Sequence, residues 1–125
     1  MSLLASTPKR QCDRAVKRAR RELARGVTGL FSSVFWYGAV DLDRKHLVVW
    51  VLLAGSPSQL PAWYFPSKDR ADCQYDAELL AEIKRMREAV VACFDREGWR
   101  DAERVDVGFD SEARVRDGCG WHYFK

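Results

Sequence analysis

Two neighbouring stretches, Val34 to Leu42 and His46 to Ala54, are built mostly from β-branched, aromatic and aliphatic residues, and in each both alternating sets are largely apolar. Successive side chains of a strand point to opposite faces of its sheet, so strands apolar on both sets belong where a sheet is covered on more than one side. The connection from Asp41 to Lys45 is short and polar, and the pair therefore reads as a hairpin. The longest apolar run, Leu47 to Ala54, is broken by Gly55 and Pro57. It falls far short of the roughly 20 residues of a membrane-spanning helix and reads as buried strand, with no membrane contact expected.

Helical periodicity supplies the elements that would cover such a sheet. Thr7 can cap a free backbone amide and Pro8 suits the first helical position, while Gly26 supplies a stop. Between them Cys12, Ala15, Val16, Ala19 and Leu23 form a narrow apolar stripe, and Arg14, Arg18, Arg21 and Arg25 repeat along the opposite side. A second helix is predicted from Ala77 to Glu97, capped by Asp76, buried through Leu79, Ile83, Met86, Val90 and Phe94, and ended by Gly98.

Ala62 to Phe65, between Pro61 and Pro66, reads as a short edge strand. Val105, Val107 and Phe109 alternate with Arg104, Asp106 and Asp110, the pattern of a strand with one wet face. Asp110, Ser111 and Glu112 read as a turn into a returning strand from Ala113 to Arg116, with Trp121 to Phe124 a bulged continuation or a separate edge. The expected architecture is α+β: one largely antiparallel sheet of about five strands with two helices, in the order α-β-β-β-α-β-β. At 125 residues, 47% hydrophobic and 31% charged, the chain is expected to form a single packed domain over 1–125, with residues 1–6 a loose N-terminus lacking the charge-before-apolar order of an export signal.

Four cysteines at wide spacing match neither a zinc site nor a disulfide scaffold, which points to a reducing, cytoplasmic setting. Cys119 and His122 could supply two metal ligands or a thiolate with its base, but the spacing alone does not separate that from an inert thiol and an ordinary imidazole. Asp106, Asp110, Glu112 and Asp117 read as solvating an exposed strand face and turn. A glycine-rich phosphate loop and a Gly-x-Ser-x-Gly elbow are both absent from the sequence. The residues thus point away from an enzyme and from any cofactor.

Lys9, Arg10, Arg14, Lys17, Arg18, Arg20, Arg21 and Arg25 face only Asp13 and Glu22 in the first 25 positions, so the rest of a chain of net charge +3 is acidic. An exposed charged helix face is ordinarily solvation. The same arginines could also straddle nucleic-acid phosphates or pair with carboxylates on a protein partner. Five tryptophans and four tyrosines are many for so small an interior, and large aromatics are the usual energetic anchors of interfaces. Trp63, Tyr64, Trp121 and Tyr123 are the candidate anchors for a protein partner, with Arg14, Arg18, Arg21 and Arg25 as an electrostatic guide.

The C-terminal half, with Leu79, Leu80, the Glu82 to Phe94 helix, Gly98-Trp99, Val105 to Asp110 and Arg114 to Asp117, resembles a family of small bacterial immunity proteins. In these a helix leads through a Gly and Trp region into a hairpin of hydrophobic strand, acidic turn, basic strand and aromatic end. The resemblance implies a stoichiometric inhibitor that silences a toxin within the producing cell. The element order is also similar to the secretion-chaperone fold, which implies a dimer holding a partly unfolded client.

Overall fold

The computed structural model describes residues 7–26, 29–68 and 75–118. Helix α1 (Pro8–Ala24) starts where the sequence signals it, with the Thr7 hydroxyl accepting from the Arg10 amide at 3.2 Å. Its stripe of Cys12, Ala15, Val16, Ala19 and Leu23 is buried. Strand β1 (Phe31–Tyr37) pairs antiparallel with β2 (Val48–Leu53), so the expected hairpin forms. Its limits differ from the sequence reading because Gly38 adopts φ 125° and turns the chain back. A Cβ at Gly38 would stand 1.9 Å from the His46 carbonyl oxygen, so only glycine permits that close return. Arg44–His46 forms a single 3-10 turn, capped by Asp43, and delays the second strand until Val48.

Helix α2 (Ala77–Arg96) is capped by Asp76, whose carboxylate accepts from the Glu78 amide at 3.1 Å. Ile83, Met86, Val90 and Phe94 are buried along it, and Leu79 packs half-buried at the margin. The chain then enters β3 (Asp106–Ser111), which pairs parallel to β2, and ends its described part in a short helix, α3 (Glu112–Asp117).

The fold is α+β, but among the described residues the sheet has three strands in the order β1-β2-β3 and is mixed. The expectation of a largely antiparallel sheet of about five strands is thereby corrected, and each departure has a cause. A helix of 20 residues lies between β2 and β3, long enough to carry the chain back across the sheet so that the next strand enters in the same direction. Ala62 to Phe65 makes only an isolated bridge, Tyr64 with Phe109, because Trp63 adopts φ 49° and breaks the extended backbone. Ala113 to Arg116 is helical, not a returning strand: the Ser111 hydroxyl accepts from the Arg114 amide at 3.2 Å, capping a helix whose first turn carries Glu112. Trp121 to Phe124 lies outside the described residues.

Because β2 is central, its two apolar sets go to two different cores. Val49, Val51 and Leu53 join Val107 and Phe109 under α1 and α2. Trp50 and Leu52 face the other way, meeting Val115 of α3, with Phe35, Tyr37, Val48 and Phe65 packed half-buried around them. The Trp50 ring is fully buried, standing edge-on to Trp63 and Phe65 at centroid distances of 5.3 and 5.2 Å. Gly108 lies opposite Trp50 in the β2/β3 register, and a Cβ there would come within 2.6 Å of the indole and 2.9 Å of the Phe65 ring.

A methyl group at that spot has no room, since both rings are wedged and the strand cannot recede. Gly108→Ala is expected to cost about 2 kcal/mol, read as a lower urea midpoint with an unchanged slope.

Candidate partner-binding site

At the end of β3 the carboxylate of Asp110 is completely buried. A charge there must be paired and hydrogen-bonded. Asp110 Oδ1 accepts from Arg114 Nη1 at 2.7 Å and from the Ser111 amide at 2.6 Å, while Oδ2 accepts from the Trp63 amide at 3.0 Å. The same guanidinium donates to the backbone carbonyls of Pro57, Leu60 and Pro61. One ion pair thus ties the end of β3 and the first turn of α3 to the loop from Pro57 to Trp63. The sequence reading, in which Asp110 solvates a turn, is corrected. Asp106 is half-buried and bound to Lys68 at 3.1 Å, whereas Asp117 is exposed.

The loop held in this way carries Trp63. A left-handed backbone costs a bulky residue about 1–2 kcal/mol, and here the bond from its amide to Asp110 maintains it. The indole leans edge-on against Trp50 yet stays 45% exposed. Tyr64 turns the other way. Its amide donates to the Phe109 carbonyl at 3.0 Å and its carbonyl accepts from the Phe109 amide at 2.7 Å, on the outer edge of β3, while its ring packs half-buried against the main core. Of the four aromatic residues expected as anchors from the sequence, Trp63 is exposed and Tyr64 is half-buried. Trp121 and Tyr123 lie outside the described residues, as do Cys119 and His122.

The arginine ridge is also divided. Arg14 Nε and Arg18 Nη2 donate to the two oxygens of Glu97 at 2.8 and 3.1 Å, closing α1 onto the end of α2. Arg21 and Arg25 are exposed and reach no acidic partner among the described residues. The Glu97 side chain is only 12% exposed. The hydrogen bond from Arg14 is the main reason its carboxyl is held below the ordinary range, with Arg18 adding to the effect against the opposing cost of burial. Nearby, Gln11 Nε2 donates to the Glu97 carbonyl at 3.0 Å and Gln11 Oε1 accepts from Arg44, whose guanidinium lies 4.7 Å from the centroid of the Trp99 ring. No local pattern announces Glu97, because it meets Arg14 across 83 positions of sequence.

These two groups do not form one surface. Helices α1 and α2 cover one face of the sheet and carry the ridge on their outer side, whereas Trp63 lies over Trp50 on the other face.

Little in the described interior offers covalent chemistry. Cys12 and Cys93 are buried thiols, neither in a disulfide. Burial pushes the Cys12 thiol up to about 12 and raises that of Cys93, so neither supplies a thiolate near neutral pH. Among the described residues no three metal-ligating side chains converge, and no helix is long and apolar enough to cross a membrane.

Removing Asp110 leaves the Arg114 guanidinium facing a loop with its charge uncompensated, so Asp110→Ala is expected to cost about 3 kcal/mol in urea unfolding. Arg114→Lys should recover little, because one ammonium cannot span the carboxylate and three carbonyls. Glu97→Gln is expected to cost about 1 kcal/mol at neutral pH, the pair being half solvated. The folded-state pKa of Glu97 lies below its ordinary 4.5. Its contribution is therefore complete above that value and is lost as the carboxylate protonates in acid. Unfolding curves of the variant and the parent chain should converge as pH falls through the carboxylate range, and a constant gap down to the acid limit would exclude this role. Comparison of the chain with protein-family models, with curated proteins and with solved structures gives no match, so the chemistry of these surfaces rests on the residues described above.

Proposed function

We propose that this chain is a non-catalytic module that binds one folded protein partner, with Trp63 as the central contact. The observation that carries the reading is a strained, outward-facing tryptophan held by a buried ion pair. Strain of this kind persists only where surrounding structure maintains it, and it concentrates at sites of recognition. An indole fixed against Trp50 loses little side-chain freedom on binding, which is what makes tryptophan an effective anchor.

The partner is expected to be a folded protein and not an extended client. Among the described residues Leu42 and Trp63 are the exposed large hydrophobic side chains, and a continuous apolar groove, as a client-holding chaperone needs, is not provided by two separated contacts. A rigid single anchor suits a stoichiometric inhibitor of the immunity type, acting in the cytoplasm. The buried, unpaired thiols of Cys12 and Cys93 are in keeping with a reducing setting.

Affinity capture from the native host, using the parent chain and Trp63→Ala side by side, tests the reading, followed by titration of the purified partner. One protein recovered in equal stoichiometry by the parent chain, and bound about 30-fold more weakly by Trp63→Ala at unchanged fold, is expected for a central anchor. Equal recovery by both chains, or a parent chain that stays a free monomer at micromolar concentration, rejects it.

A further inference from the structure

On the other side of the molecule, the cleft between the exposed face of α1 and the end of α2 is lined by charged side chains alone. Arg14, Lys17, Arg18, Arg21 and Arg25 provide five cations, against the carboxylates of Glu22 and Glu97. Glu97 is engaged by Arg14 and Arg18, so its charge is spent on holding those two side chains in place. Lys17, Arg21 and Arg25 are exposed, and none of the salt bridges among the described residues includes them. The result is a row of positive charge in which Arg14 and Arg18 are held by Glu97 and Lys17, Arg21 and Arg25 stand exposed.

The composition of that lining distinguishes between two classes of polyanion. A protein partner needs a desolvated apolar or aromatic centre in its contact surface, and this cleft contains no such residue. A nucleic-acid interface is polar and strongly positive, and most of its affinity comes from cations displacing counterions at phosphates. Single strands are gripped by stacking on aromatic rings, which the cleft also lacks. From Arg14 to Arg25 the ridge runs about 16 Å along the helix. A duplex carries about one charge per 1.7 Å of axis, so several phosphates fall within its reach. No asparagine, glutamine or hydroxyl side chain lines the cleft to read adenine edges, and Arg14 and Arg18, held by Glu97, act as positioned charges and not as bidentate readers of guanine.

The geometry points to a second binding surface on α1: a sequence-independent contact with the phosphate backbone of duplex nucleic acid, in which Glu97 pre-positions Arg14 and Arg18 while Lys17, Arg21 and Arg25 supply the remaining charge. This surface is independent of Trp63 and faces away from it.

Fluorescence anisotropy with the full chain and short labelled DNA duplexes of two unrelated sequences provides the test. Equal affinity for both duplexes is expected, with the logarithm of the binding constant falling against the logarithm of salt at a slope of about −3 to −5. The triple variant Lys17→Ala, Arg21→Ala, Arg25→Ala should lose at least about tenfold in affinity and flatten that slope by roughly 3. Its urea midpoint should stay that of the parent chain, since the three side chains make no salt bridge within the described fold. Trp63→Ala should bind the duplex like the parent chain, so loss of the protein-binding reading and loss of this one are separable. No duplex binding at about 50 mM salt, an unaltered slope in the triple variant, or displacement of the duplex by poly-glutamate at equal charge concentration would each overturn the proposal, the last in favour of an acidic protein.

Discussion

Everything in this fold is arranged around a central strand that cannot touch water on either face. In β2, Val49, Val51 and Leu53 are sealed by α1 and α2, while Trp50 and Leu52 are sealed by α3, Phe65 and the loop before it. Burying a side chain of this size stabilises by about 1.5–3 kcal/mol, so leaving either face open would forfeit several such contributions. The parallel pairing of β3 beside β2 follows from the same demand, because the intervening α2 both returns the chain across the sheet and closes one of its faces. Gly108 then becomes a steric necessity: the indole of Trp50 occupies the place where a neighbouring side chain would stand.

The second face is closed by irregular structure, which has backbone groups to satisfy and no ladder to satisfy them. Asp110 and Arg114 meet that need, taking up the Trp63 amide and three loop carbonyls in one buried node. Burying an ion pair is weak as a source of stability but strong as a constraint, since each lost bond leaves a charge uncompensated. Here the constraint fixes the path of the loop, and the path of the loop turns Trp63 outward. The exposed indole is thus a consequence of an interaction deep in the fold.

The helices were legible because their signals are local. Thr7-Pro8, Asp76 and the apolar stripes of α1 and α2 act within one or two turns, and capping and periodicity depend on neighbours in sequence. At Ala113 to Arg116, where the sequence predicts a returning strand, the same local signals fit two structures. Ser111 followed by Glu112 is a helix start as well as a turn, and in the structure the Ser111 hydroxyl caps the helix while Asp110, ahead of it, pairs with Arg114. Exposure of Trp63 was anticipated from its place between two prolines, although the backbone strain that produces it has no signature in the residues. Tyr64, its immediate neighbour between the same prolines, is half-buried, its backbone bridged to Phe109.

By itself the sequence determined that the chain is α+β, that β2 is covered on both sides, that α1 presents arginines to solvent, and that most of its helix ends lie where they do. All of these rest on interactions between residues close along the chain, or on the alternation of a single strand. Only the tertiary structure decided that β3 runs parallel, that Asp110 is buried with Arg114 against a loop more than 50 positions away, and that Glu97 anchors Arg14 and Arg18. It also decided that the aromatic anchor and the arginine ridge stand on opposite sides of the sheet. Those are pairings between distant segments, and their partners are selected by which surfaces remain to be buried once the local elements have formed.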